Sequence, residues 1–141
     1  MRERRAAREL VLQSAYAMEL SGDTIAETIE KLINPADLAE DLKPFARNLF
    51  SKTMNNRIEL DEYIKDKSEN WEFSRIAIID RLILRIAICE FLYFEDIPAK
   101  VSISEAIEIA KKFSTNDSGS FVNGILDAIL QEFTKLDKIK K

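Results

Sequence analysis

The segment NWEFSRIAIIDRLILRIAICEFLYF, residues 70–94, limits the possible folds more than any other part of the chain. From Ile76 onward its apolar residues fall on nearly every side of a helical wheel. A helix of that kind has to be covered all round, which is the situation of the central helix of a bundle. Asp80, Arg81, Arg85 and Glu90 interrupt the run, and charges so spaced are incompatible with an ordinary membrane span. Arg81 and Arg85 share a face at i,i+4 with no opposite charge at that spacing. Either acids on neighbouring helices pair with them, or they lie on a surface that meets another molecule.

The flanking sequence supplies the other helices. Only three Gly and three Pro serve 141 residues, too few turn formers for an all-β protein, and the length suits one domain with its own core. Residues 3–20 read as one helix with Ala7, Leu10, Val11, Ala15 and Met18 on its apolar stripe, stopped by Ser21-Gly22. Thr24 and Glu27 have capping-box spacing and open a second helix, with Ile25, Ile29, Leu32 and Ile33 inward and Asn34-Pro35 as its end. A longer helix starts near Pro44 and carries the stripe Leu49, Thr53, Asn56, Leu60, Tyr63. Its two polar members predict buried hydrogen bonds. Pro98 bends the chain after the central helix. Ser102 and Glu105 repeat the capping-box spacing ahead of Ile103, Ala106, Ile107 and Ala110, and STNDSGS follows as a loop.

The last helix runs from Ser118 to Leu136, although Asn123-Gly124 is a hairpin signal. Val122, Ile125, Leu126, Ile129 and Phe133 have helical spacing, and no alternating strand follows. Gly124 then costs roughly 1 kcal/mol relative to Ala, which predicts a compensating close approach of another backbone. Asn123 is free to direct its carboxamide at a ligand.

Several chemistries are excluded. The chain has no histidine, so no His-dependent nucleophilic triad and no His-ligated metal centre can form. Cys89 is the one cysteine, set in an apolar helical run where a thiol packs rather than reacts. No Gly-rich phosphate loop occurs, no acidic pair stands out by spacing, and no signal-peptide pattern opens the chain. A non-enzymatic cytosolic protein without cofactor or metal is expected.

Charge is unevenly distributed. Residues 1–8 carry a net +3, residues 135–141 another +3, and residues 9–134 a net −10. The Lys-rich tail reads as a solubilising end. Arg4, Arg5 and Arg8 crowd the first turns of a helix, where the macrodipole disfavours cations and the Arg4–Arg8 spacing adds repulsion. Arginine suits phosphate forks and stacking on bases. From these residues alone, nucleic-acid contact and a plain solvated helix start remain equally open.

Four ordered motifs add a resemblance. RRAARELVLQSAY, the run DRLILRIAICEFLYFEDIP, SEAIEIAKKFS and SGSFVNGILDAI are similar in order and spacing to the NusB family of bacterial transcription antitermination factors. The likeness covers nearly the whole chain and is thinnest over residues 21–45; Ser114, Gly119 and Ser120 depart from the family pattern. It implies an all-α fold of two three-helix subdomains packed at an angle, about residues 1–70 and 71–141. It also implies a non-enzymatic RNA-binding role. With NusE, a small ribosomal subunit protein, such factors bind the single-stranded boxA segment of ribosomal RNA transcripts and help RNA polymerase read through terminators; some are thought to hide their RNA face in a homodimer. By position, Arg4, Arg5, Arg8, Asp117, Ser118, Phe121 and Asn123 match RNA-contacting elements of the family, and Tyr16, Asp80, Arg81 and Arg85 match the NusE-facing side.

Two rivals stand beside this reading. One is a helical interaction module with no RNA role. The other is a NusB-like domain from a ribosomal RNA cytosine methyltransferase, which needs a following nucleotide-binding domain that these residues do not contain.

Overall fold

The structure, a computed structural model, describes residues 2–68 and 72–136, and the side chains from Arg4 onward. Asn70 and Trp71 of the apolar segment, and residues 137–141 of the Lys-rich tail, lie outside the described residues. Among the described residues the architecture is all-α, with seven helices. They are α1 (Arg2–Ser21), α2 (Ile25–Thr28, continued by a π-helical turn over Ile29–Ile33), α3 (Lys43–Asn55), α4 (Arg57–Lys67), α5 (Ile78–Tyr93), α6 (Ala99–Phe113) and α7 (Ser118–Lys135). Short 3₁₀ turns at Glu40–Leu42 and Phe73–Arg75 lead into α3 and α5. No described helix is long and apolar enough to cross a membrane.

Local chemistry sets several ends. Gly22 takes a left-handed φ of 74° and its N–H donates to the Met18 carbonyl at 3.0 Å, closing α1. The Thr24 hydroxyl accepts from the Glu27 N–H at 3.1 Å while the Glu27 carboxylate accepts from the Thr24 N–H at 2.8 Å, so this capping box forms as expected.

The long helix expected from Pro44 is instead two. Asn56 leaves helical geometry (φ −112°, ψ 17°), and its side-chain amide donates to the Lys52 carbonyl at 2.8 Å. The side chain competes with the backbone ladder for that acceptor and ends α3. Arg57 then donates to the Met54 carbonyl at 2.6 Å, and α4 starts in a new direction. Thr53 is fully buried near the Cys89 thiol, with no well-formed hydrogen bond to its hydroxyl.

The α5 helix is central, as its apolar wheel requires. It packs against α1, α3, α4, α6 and α7, and every residue from Leu82 to Phe91 is buried. On one side of it α1 pairs with α2 and α3; on the other, α6 and α7 pair with each other. The short α4 leans mainly on α5 and α7. One apolar core runs through both groups, from Ala7, Val11 and Ala15 to Leu126, Ile129 and Phe133.

One glycine expectation changes. Gly124 is exposed and a Cβ there would meet nothing within 4 Å, so no close approach compensates for it. The tightly packed glycine is Gly119, where a Cβ would lie 3.5 Å from the side chains of Ile107 and Lys111, at ordinary contact distance. It sits one turn ahead of Val122 on the core face, where α7 meets α6.

Burial pushes the Cys89 thiol up to about 12. At pH 8 its thiolate is then rarer than that of an exposed cysteine by a factor on the order of 10³. Native protein is accordingly expected to resist alkylation by iodoacetamide until denaturant is added, as mass spectrometry of both states would report. Rapid labelling of the folded form would contradict the buried placement.

Candidate nucleic-acid interface

The first turns of α1 present Arg4, Arg5 and Arg8 to three different surroundings. Arg8 continues the inward face that holds Leu12 and Ala15, and its side chain is only 2% exposed. It donates through Nε and Nη2 to the two carboxylate oxygens of Glu90 at 2.7 and 2.9 Å, and Glu90 is itself 1% exposed. The Ser102 hydroxyl donates to Glu90 Oε1 at 2.7 Å. This corrects the expectation that Arg8 reaches RNA directly: its charge is enclosed and matched inside the bundle.

Arg5 makes a second bidentate pair, donating through Nε and Nη2 to the two oxygens of Glu105, both at 2.8 Å. Its side chain is 36% exposed while that of Glu105 is 8% exposed. The hydrogen bond from Arg5 holds the Glu105 carboxyl below the ordinary carboxylate range, and the same bond raises Arg5. Arg4 is the most loosely held. Its guanidinium lies over the Phe45 ring at 4.4 Å and 3.5 Å from Asp96, an acid that is 68% exposed.

These pairings also overturn the second capping box. Helix α6 starts at Ala99 behind Pro98, one turn before Ser102. Ser102 and Glu105 point instead at Glu90 and Arg5, because a buried carboxylate and a half-exposed guanidinium need partners more than an exposed helix start does. A cavity of about 10 Å³ borders Arg8, Glu90 and Ser102 among Leu12 and Ala106. That is far below the roughly 300 Å³ at which small-molecule sites begin.

The loop side is also partly internal. Ser118 is buried; its hydroxyl lies 3.1 Å from Asp80 Oδ2 and 2.9 Å from Ser114 Oγ, and it accepts from the Thr115 N–H at 3.3 Å. It fastens the start of α7 to α5. Asp117 and Asn123 are exposed, and Phe121 is half-buried against the core. This loop side and the arginines of α1 are joined through α6, whose Glu105 holds Arg5 and whose Ile107 and Lys111 receive Gly119.

On the other expected face, Tyr16 is 37% exposed on α1. Arg81 is half-buried with its guanidinium 5.1 Å from the centre of the Phe73 ring. Asp80 and Arg85 are enclosed rather than presented. Arg85 donates to both oxygens of Asp61 at 2.6 and 2.9 Å and to Glu19 at 2.8 Å, so acids on neighbouring helices do pair with it.

Glu90, Glu105, Ser102, Asp61 and Glu19 were missed as partners. One signal existed: Glu90 interrupts a helix that is otherwise buried all round, and a buried acid requires a cation. Nothing local says which arginine supplies it.

Residues 5–131 match the family model described as the NusB family. The chain is 44% identical over 142 aligned positions to Transcription antitermination protein NusB of Salinibacter ruber, spanning 100% of this chain and 89% of that protein. It is 45% identical over 131 positions to the protein of the same name from Chloroherpeton thalassium, spanning 92% of this chain and 62% of that longer one. Among solved structures, T. maritima NusB superposes with a TM-score of 0.85 at 34% identity, covering 96% of this chain and 95% of that one. A chain of the crystal structure of antitermination factors NusB and NusE in complex with dsRNA matches in fold, with a TM-score of 0.78 at 21% identity over 94% and 98% of the two chains. A shared helical fold and identity spread along the whole length lead to one conclusion: this chain belongs to the NusB family, a family of antitermination factors and not of enzymes.

Proposed function

We propose that this protein is an RNA-binding transcription antitermination factor of the cytoplasm. With NusE it binds the single-stranded boxA segment of ribosomal RNA transcripts and supports polymerase read-through. The observation that carries the reading is the front edge of α1. There, among the described side chains of the first two turns, Arg4 and the outer edge of Arg5 are the cations within reach of solvent, on a body whose residues 9–134 carry a net −10. Unpaired RNA offers flexible phosphates and unstacked bases, which guanidinium groups can fork to or stack upon. The acidic remainder repels RNA and confines contact to this edge. Arg8 supports it from within by anchoring α1 to α5. Asn123 and Phe121 extend the contact from α7. So few cations bind weakly alone, and a partner that lengthens the strip raises affinity; Tyr16 and Arg81 are the residues we assign to NusE. A homodimer covering the Arg4–Arg5 edge would hold the protein inactive.

The test is fluorescence anisotropy with a short single-stranded boxA oligonucleotide across a salt series, with and without NusE. Arg4→Ala with Arg5→Ala is expected to weaken binding and to flatten the salt slope by about 1.4 units, at ~0.7 per phosphate contact. Unchanged affinity and slope in a folded double variant would reject the assignment. A second reading, a helical interaction module without RNA contact, is favoured by the internal pairing of Arg5 and Arg8. It predicts NusE binding without any RNA dependence.

A further inference from the structure

The three arginines form a graded series. Arg8 is locked, since it and Glu90 are both almost wholly buried and doubly hydrogen-bonded. Arg4 is loose, since its acid is largely exposed and beyond hydrogen-bond distance. Arg5 lies between. It is more than a third exposed, yet its Nε and Nη2 edge, the edge that forks a phosphate in bidentate fashion, is occupied by Glu105.

A second observation concerns what Glu105 would do without Arg5. Arg8 Nη1 is buried, makes no hydrogen bond among the described residues, and lies 3.9 Å from Glu105 Oε1. Glu105 therefore faces two guanidinium groups, one bonded and one within a small side-chain adjustment of bonding. A carboxylate this enclosed could not be left unpaired without a large desolvation penalty. Arg8 Nη1 removes that obstacle.

We infer that Glu105 is an internal competitor for RNA: Arg5 exchanges Glu105 for a phosphate, Arg8 Nη1 takes over the vacated carboxylate, and Glu105 thereby sets the affinity of the site. The inference rests on the RNA reading above. In the free protein the Arg5–Glu105 pair is neutral, so Arg5 contributes little to counterion release until the exchange occurs. Exchange is a trade of one charge-assisted bidentate pair for another, so the attenuation is modest and adjustable rather than absolute.

Glu105→Gln keeps an acceptor for Arg5 and removes the charge. Single-stranded boxA RNA is titrated by anisotropy in a salt series against wild type, E105Q, R5A and the E105Q/R5A double variant, with circular dichroism melts to establish folding. E105Q is expected to bind about two- to fivefold more tightly, the range that a half-exposed ion pair commands, with a slope steeper by up to ~0.7. In the R5A background the same substitution is expected to change neither quantity. Glu105→Asp, which keeps the charge beside Arg8 but withdraws it from Arg5, is the second variant, with a smaller gain in the same direction. Weaker or unchanged binding by folded E105Q or E105D overturns the inference, as does an equal gain without Arg5, which would reduce the effect to general electrostatics. If R5A weakens binding while neither Glu105 variant tightens it, the inference falls and the RNA reading stands. If wild type binds no RNA and R5A changes nothing, both fall.

Discussion

Glu90→Ala is expected to destabilise the protein by about 3–5 kcal/mol, the cost of removing one partner from a buried ion pair. Both side chains are at most 2% exposed, so the Arg8 guanidinium cannot recover its loss by turning to water. Glu105, at 3.9 Å from Arg8, recovers part of the Coulomb attraction but is already committed to Arg5. Ser102 loses its acceptor as well. Urea denaturation of Glu90→Ala and Glu90→Gln separates the contributions, because Gln retains hydrogen bonding without the charge and is expected to cost less. The joint replacement Arg8→Met with Glu90→Leu is expected to fall well short of the single Ala variant, since it deletes both charges and fills the space. A Glu90→Ala loss below ~1 kcal/mol, the level of an exposed pair, would mean that the pair reaches solvent. Any change in RNA binding of an Arg8 variant has to be read against its melt, because Arg8 is enclosed and seats α1 on α5.

Phe133→Ala is expected to cost a similar amount, about 3–5 kcal/mol, by emptying a fully buried site. The ring meets Tyr63 of α4 edge-on at 4.9 Å and Phe91 of α5 at 6.3 Å, so three helices close on one side chain. The loss should be felt most in α4, which packs mainly against α5 and α7. Hydrogen exchange is the informative measurement. In Phe133→Ala the amides of Leu60 and Ile64 are expected to lose protection well before those of Leu84 and Ile88. Uniform loss across α4 and α5 would show that α4 has no independent opening. Phe133→Leu keeps most of the volume and is expected to cost less than half as much.

How far the fold was readable from sequence varied with the range of the interactions involved. The place of α5 was legible because a helix apolar on every side has only one kind of environment available to it. The Thr24 capping box was legible because both partners lie within four residues and nothing distant competes for them. The Ser102 and Glu105 box had identical spacing and failed, because its side chains met stronger demands from Arg5 and Glu90, neither of which is adjacent in sequence. Asn56 ended a helix through its own side chain, at a position where spacing alone suggested continuity. At the candidate site, the partial exposure of Arg4 and Arg5 was legible as charge crowded at a helix start. The enclosure of Arg8 was not. Its spacing from Leu12 and Ala15 marks the core face, but an arginine at that spacing suits a solvated helix start equally well, and its acid lies 82 positions away.

The ion pairs that seat α1 join residues far apart in the chain: Arg8 to Glu90 across 82 positions and Arg5 to Glu105 across 100. During synthesis the N-terminus leaves the ribosome first, yet the acids that neutralise it are among the later residues to follow. Until Glu90 and Glu105 emerge, Arg5 and Arg8 lack the acids that pair with them in the folded protein, beside a surface made largely of RNA. The graded arrangement of three arginines therefore exists only once Glu90 and Glu105 have been made.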